Sequence, residues 1–221
     1  MGLLDTLAGI GPTETIAHDS TATRTTPVTP VPVVKVLSSH GVDIMPYNAT
    51  HDPQSSSFLA WMWQRMQEDD LVDYYFPGQK ETGFTTFVRM MSGDAQVGLV
   101  LNKCDSDQWK DKVAGFITWT PLHLGTASIA VAGLIFFREF WDKRTTDEAG
   151  ALALKYWFTE TEVTHVLGVC PSLHVTIARY NKRMGLRETG RLTGAHIYKG
   201  EVCDAVLFEI TKEEWIMRGH Q

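Results

Sequence analysis

The chain has 221 residues, 43% of them hydrophobic and 10% aromatic, which suits one well-buried domain with an appendage. A net charge of −6 lacks the basic excess of a general nucleic-acid binder and suits a cationic partner. The longest apolar run, residues 127–137, is too short to span a bilayer, and Cys104, Cys170 and Cys203 follow no metal spacing. Neither membrane nor metal is therefore expected, and free thiols in a reducing, cytoplasmic setting are the simplest reading.

The start of the chain carries an apolar patch, Leu3, Leu4, Leu7 and Ile10, and shows no secretory leader. Met1-Gly2-Leu3-Leu4-Asp5-Thr6 fits the loose N-myristoylation pattern. Thr and Pro dominate residues 20–32, and Pro27, Pro30 and Pro32 deny both helix and central strand. Residues 1–32 thus read as a flexible segment and linker. It is either a plain tail or an arm that docks on a protein partner through the apolar patch. The globular domain is expected over residues 33–221.

That domain opens with a strand over 42–45. Asp52-Pro53 then offers a cap and a first-turn proline for a helix with Phe58, Trp61, Met62 and Arg65 at helical spacing. A second helix is expected over 81–91, its apolar face being Phe84, Phe87, Val88 and Met91. Strands follow over 97–101, 113–119 and 127–137, with a polar hairpin turn at 106–111, and suggest an antiparallel meander. Ala149, Leu152, Ala153, Tyr156 and Trp157 recur at helical spacing and predict a helix over 147–159. A strand over 165–169, a helix over 175–184 stopped by Gly185 and a final strand pair ending in 205–210 complete the pattern. The strand–helix–strand passage from 127–137 to 165–169 is the usual way to lay two strands parallel. The expected class is α/β, a mixed, mostly antiparallel sheet flanked by helices.

Three stretches near the C-terminus add a resemblance. They are Val169-Cys170-Pro171-Ser172-Leu173-His174, then Ile177-Ala178-Arg179-Tyr180-Asn181-Lys182-Arg183-Met184-Gly185-Leu186, and Gly200 through Phe208 with Glu213-Glu214-Trp215. The chain resembles the GNAT N-acetyltransferases there, over about its last fifty residues, and resembles them only in architecture over residues 33–124. The resemblance implies that the two parallel strands splay apart, with the thioester of acetyl-CoA in the gap. It places the pantetheine arm along the strand ending at Phe136 and Phe137, and the pyrophosphate at the following helix start, on Lys143, Arg144, Thr145 and Thr146. The acceptor would be an amine of a small molecule or protein.

The chain also departs from that pattern. Residues 141–149 contain no glycine where the family keeps two small residues so that amides approach phosphate. Lys143, Arg144 and the hydroxyls of Thr145 and Thr146 can stand in, against the opposing charge of Asp142 and Asp147; Thr146-Asp147 reads equally as a plain helix cap. His174 replaces the usual Asn at the later helix. The position of the family's acidic Tyr falls on Asn181, with Tyr180 about 100° away around the helix. His174 and Tyr180 are the candidate catalytic residues, His174 as base or acid. The alternative for His174 is a solvent-exposed helix start. Two functions stay open: an acetyl-CoA-dependent N-acetyltransferase, or a catalytically silent GNAT-fold binding or structural protein. The latter resembles the small acetyltransferase-like proteins encoded by tailed phages, and that resemblance implies a phage-encoded, virion-associated role as an expectation.

Overall fold

The computed structural model describes residues 36–51, 55–76, 83–104, 109–141 and 144–219. The apolar patch, the Thr/Pro linker, the 32/33 boundary, Asp52-Pro53 and Lys143 lie outside the described residues.

One eight-stranded sheet organises the domain. The strands are β1 (Leu37–Ser38), β2 (Val42–Tyr47), β3 (Gln96–Asn102), β4 (Val113–Leu124), β5 (Ala127–Phe136), β6 (His165–Pro171), β7 (Arg187–Tyr198) and β8 (Glu201–Thr211), in the order β1-β2-β3-β4-β5-β6-β8-β7. Every neighbouring pair is antiparallel except β5 and β6, which run parallel. The meander and the parallel crossover are as the pattern of apolar runs predicts.

The helices are α1 (Ser55–Glu68), α2 (Val72–Tyr75), α3 (Gly83–Arg89), α4 (Trp109–Lys112), α5 (Arg144–Glu160), α6 (Val175–Arg183) and α7 (Lys212–Met217). The end of the expected hairpin turn at 106–111 falls in the helical turn α4, which runs directly into β4. The short α2 and α7 have too few residues to show a period in sequence. At α7, Thr211 accepts from the Glu214 amide while Glu214 accepts from the Thr211 amide, a reciprocal cap.

Side chains alternate across a strand, so β4 separates the two helical layers. Phe116 packs against Tyr75 of α2 and Phe87 of α3. Trp119, three residues on and on the opposite face, packs against Tyr156 and Trp157 of α5. β5 repeats the division: Phe137 just beyond it meets Trp61 of α1, while Phe136 meets Tyr180 of α6. One apolar core thus lies on each side of the sheet, and the sheet's interior strands are buried on both faces.

Candidate functional site

The parallel pair holds together over only four residues. Ile129 to Ala132 pair with His165 to Gly168, and no pairing follows. Each strand nevertheless continues and stays bonded to its outer neighbour. β5 keeps β4 through Phe136↔Gly115, and β6 keeps β8 through Pro171↔Ala205. The two strands therefore diverge, and a gap opens through the sheet beyond Ala132 and Gly168.

A cavity of about 100 Å³ fills that gap. Leu134 and Phe136 border it from the α5–α6 side, and Ile135 and Val169 from the other. Thr146, Gly150 and Trp157 of α5 form one wall, Tyr180 and Asn181 of α6 a second, and Leu71 and Tyr74 reach in from α2. The cavity is thus lined by both helical layers. The indole N–H of Trp157 is buried and has no hydrogen-bond partner among the described residues.

The predicted catalytic residues meet here. His174, which immediately precedes α6, borders the cavity and is 9% exposed, so the solvent-exposed alternative for it is overturned. Its ring sits among those of Tyr74 (5.7 Å), Trp141 (6.1 Å) and Tyr198 (5.3 Å). Burial, with a smaller push from Lys199, lowers its pKa and keeps the imidazole neutral near pH 7. Tyr180 also borders the cavity, but its hydroxyl donates to the Thr146 carbonyl at 2.9 Å and so ties α6 to the first turn of α5. Burial pushes its phenol far above the ordinary range.

Of the residues predicted to hold the co-substrate, Phe136 and Thr146 line the cavity. Phe137 lies on the opposite face, fully buried under Trp61 and the Arg65 guanidinium. Arg144 is exposed at the start of α5 and paired with Glu148. The Thr145 hydroxyl donates to Asn102 at 3.0 Å. The turn between β5 and α5 uses its own amides: Phe137 donates to Ala114, Arg138 to the Asp69 carboxylate at 2.7 Å, Phe140 to Phe137 and Trp141 to Arg138. Among the described residues, donors for an anion therefore remain in the first turn of α5, whose amides lack intrahelical partners.

Sequence reasoning missed Tyr74, Trp141, Asn181 and Trp157 as cavity residues. Asn181 carried a usable signal, since it holds the position of the family's acidic Tyr. Tyr74 carried none, because a four-residue helix has no period. Among the described residues no group of side chains is arranged to hold a metal, and no helix is long and apolar enough to cross a membrane.

Comparison with known proteins places the fold. A GNAT-family protein from Chromobacterium violaceum superposes with a TM-score of 0.65 and 21% identity, covering 92% of this chain and 100% of that one. A GCN5-related N-acetyltransferase from Brucella melitensis gives 0.64 and 19%, covering 85% and 83%. A ribosomal L7/L12 α-N-protein acetyltransferase solved with coenzyme A gives 0.61 and 10%, covering 80% and 98%. No protein-family model and no curated protein matches the sequence. The chain has the GNAT fold.

Proposed function

We propose that the protein transfers an acetyl group from acetyl-CoA to an amine, with the thioester lodged between the diverging ends of β5 and β6. The observation that carries this reading is the cavity itself, which passes through the sheet and is lined from both helical layers. A thioester entering along α5 and α6 could meet an acceptor entering from the α2 side. Holding both in one apolar gap supplies proximity, the largest contribution available where no carboxylate lies on β5. His174, neutral at pH 7, takes the proton that the attacking amine loses. The first turn of α5 receives the pyrophosphate, with Arg144 exchanging Glu148 for phosphate. The similar acetyltransferase solved with coenzyme A supports this choice of co-substrate.

One observation favours a second reading, a GNAT-fold protein that binds or builds without turnover. The turn after β5 has no glycine, and the amides of Phe137, Arg138, Phe140 and Trp141 are spent inside the protein. Calorimetric titration with acetyl-CoA and with CoA separates the two. The first reading expects saturable heat, weakened by salt and weakened about tenfold by Arg144→Ala, the worth of one charged hydrogen bond. A folded protein giving no heat with millimolar acetyl-CoA would sink it and leave the second.

A further inference from the structure

Among the described residues lining the cavity there is no Asp or Glu. Two cations stand beside its lining on the α2 side. The Arg138 guanidinium lies over the ring of Trp141, a lining residue, at 5.8 Å. The Lys199 ammonium lies over the ring of Tyr198 at 5.7 Å; that ring packs on His174, and Lys199 bears electrostatically on the His174 imidazole. Both cations point at one oxygen, Asp70 Oδ2, at 3.5 and 3.4 Å, and the next residue, Leu71, lines the cavity. Those distances are long for charged hydrogen bonds, and one carboxylate cannot neutralise two cations. Neighbouring Asp69 is buried and committed to the Arg138 amide, and Glu139 pairs with Arg65. The trio Arg138, Lys199 and Asp70 thus keeps one positive charge beside a cavity whose walls offer nothing to a second ammonium.

Resting on the acetyl-transfer reading above, we propose that the acceptor is an amino carboxylate, its amine directed to His174 in the gap and its carboxylate received between Arg138 and Lys199. Asp70 Oδ2 already shows that one carboxylate oxygen reaches both cations. The acceptor's carboxylate takes the donors that Asp70 leaves unused on the guanidinium and the ammonium. Its single charge matches the single unit left over, whereas a phosphate would bring nearly two. A diamine meets the opposite field. Its distal ammonium is repelled by Arg138 and Lys199 and finds no carboxylate among the described lining residues. The net charge of −6 over the whole chain is therefore no guide to the acceptor, because screening leaves the choice to the charges nearest the site.

Three acceptor series of matched carbon chain separate the classes: ω-amino acids from glycine to aminohexanoate, the alkylamines of the same lengths, and the corresponding diamines. The full chain is assayed with saturating acetyl-CoA, and kcat/KM is measured for each acceptor. At the best chain length the amino carboxylate is expected to exceed the diamine about tenfold or more, with the alkylamine between them, and added salt should shrink the spread. Lys199→Gln and Arg138→Gln should each lower the ratio of amino-carboxylate to alkylamine kcat/KM about threefold, the scale of a partly exposed ion pair. Asp70→Asn, which frees both cations, should raise that ratio. The ratio cancels any change common to all acceptors, such as a shift at His174 or a loss of stability. Equal values for amino carboxylate and alkylamine, a preference for the diamine, or variants that leave the ratio unchanged would overturn the proposal. So would a parent that binds acetyl-CoA yet acetylates none of the three series. A parent that fails to bind acetyl-CoA overturns the acetyl-transfer reading itself, and the acceptor assignment with it.

Discussion

Gly185 shows how one residue without a side chain fixes the geometry of α6 and the strand after it. Its φ is +93°, in the left-handed region. The Gly185 amide donates to Lys182 and the Leu186 amide to Asn181, which closes the helix and turns the chain into β7. A Cβ here would also strike the Arg218 guanidinium. Gly185→Val is therefore expected to destabilise the fold by about 1–3 kcal/mol, read as a lower denaturant midpoint at unchanged slope. An unchanged midpoint would mean that the helix can end without a left-handed residue. This position was legible in sequence because a helix stop is local. The burial of His174 was not, because its three ring neighbours come from residues 74, 141 and 198, which only the folded sheet brings together.

At the scale of elements, three connections meet on one carboxylate. Asp70, in the turn before α2, receives Arg138 from the β5–α5 connection at 3.5 Å and Lys199 from the β7–β8 turn at 3.4 Å. Asp70 and Lys199 are also the two non-glycine residues of positive φ among the described residues. All three side chains are more than half exposed, so the pairs add little to global stability. They hold turns in place instead. Asp70→Asn is expected to leave the unfolding midpoint almost unchanged while speeding amide exchange in the β7–β8 turn, and high salt should have the same effect on the parent. Exchange confined to the parent's rate would show that the Tyr198–His174 contact holds the turn without the ion pairs. The order of strands and long helices was legible because each carries its own apolar period. The contribution of α2 was not, since four residues in a turn become a wall of the cavity only through packing against β4 and His174.

The molecule as a whole should register acid through its buried imidazoles. His174 lies at the cavity, and His196 is buried on β7 with its ring against the Ile197 carbonyl. Burial lowers both below the ordinary value near 6.5. The unfolded chain consequently binds protons that the native state refuses, so their contribution to stability is complete above about pH 6.5 and declines as pH falls from there toward the lowered native values. Glu148 and Glu214 act in the same direction at lower pH. Ser39, the Gly41 amide and Arg144 lower the Glu148 carboxyl, and the Thr211 amide and Arg187 lower that of Glu214, so both lose their contribution once protonated. Two stages of acid destabilisation are expected, the first between neutrality and the carboxylate range. Urea midpoints measured in steps of pH would resolve them. His174→Phe keeps a ring among Tyr74, Trp141 and Tyr198 and removes one titrating group, so it should flatten the first stage and leave the second intact. If the first stage keeps its full slope in that variant, the native imidazole of His174 must be as free to take a proton as an unfolded one, and a neutral base at the cavity could not then be attributed to burial.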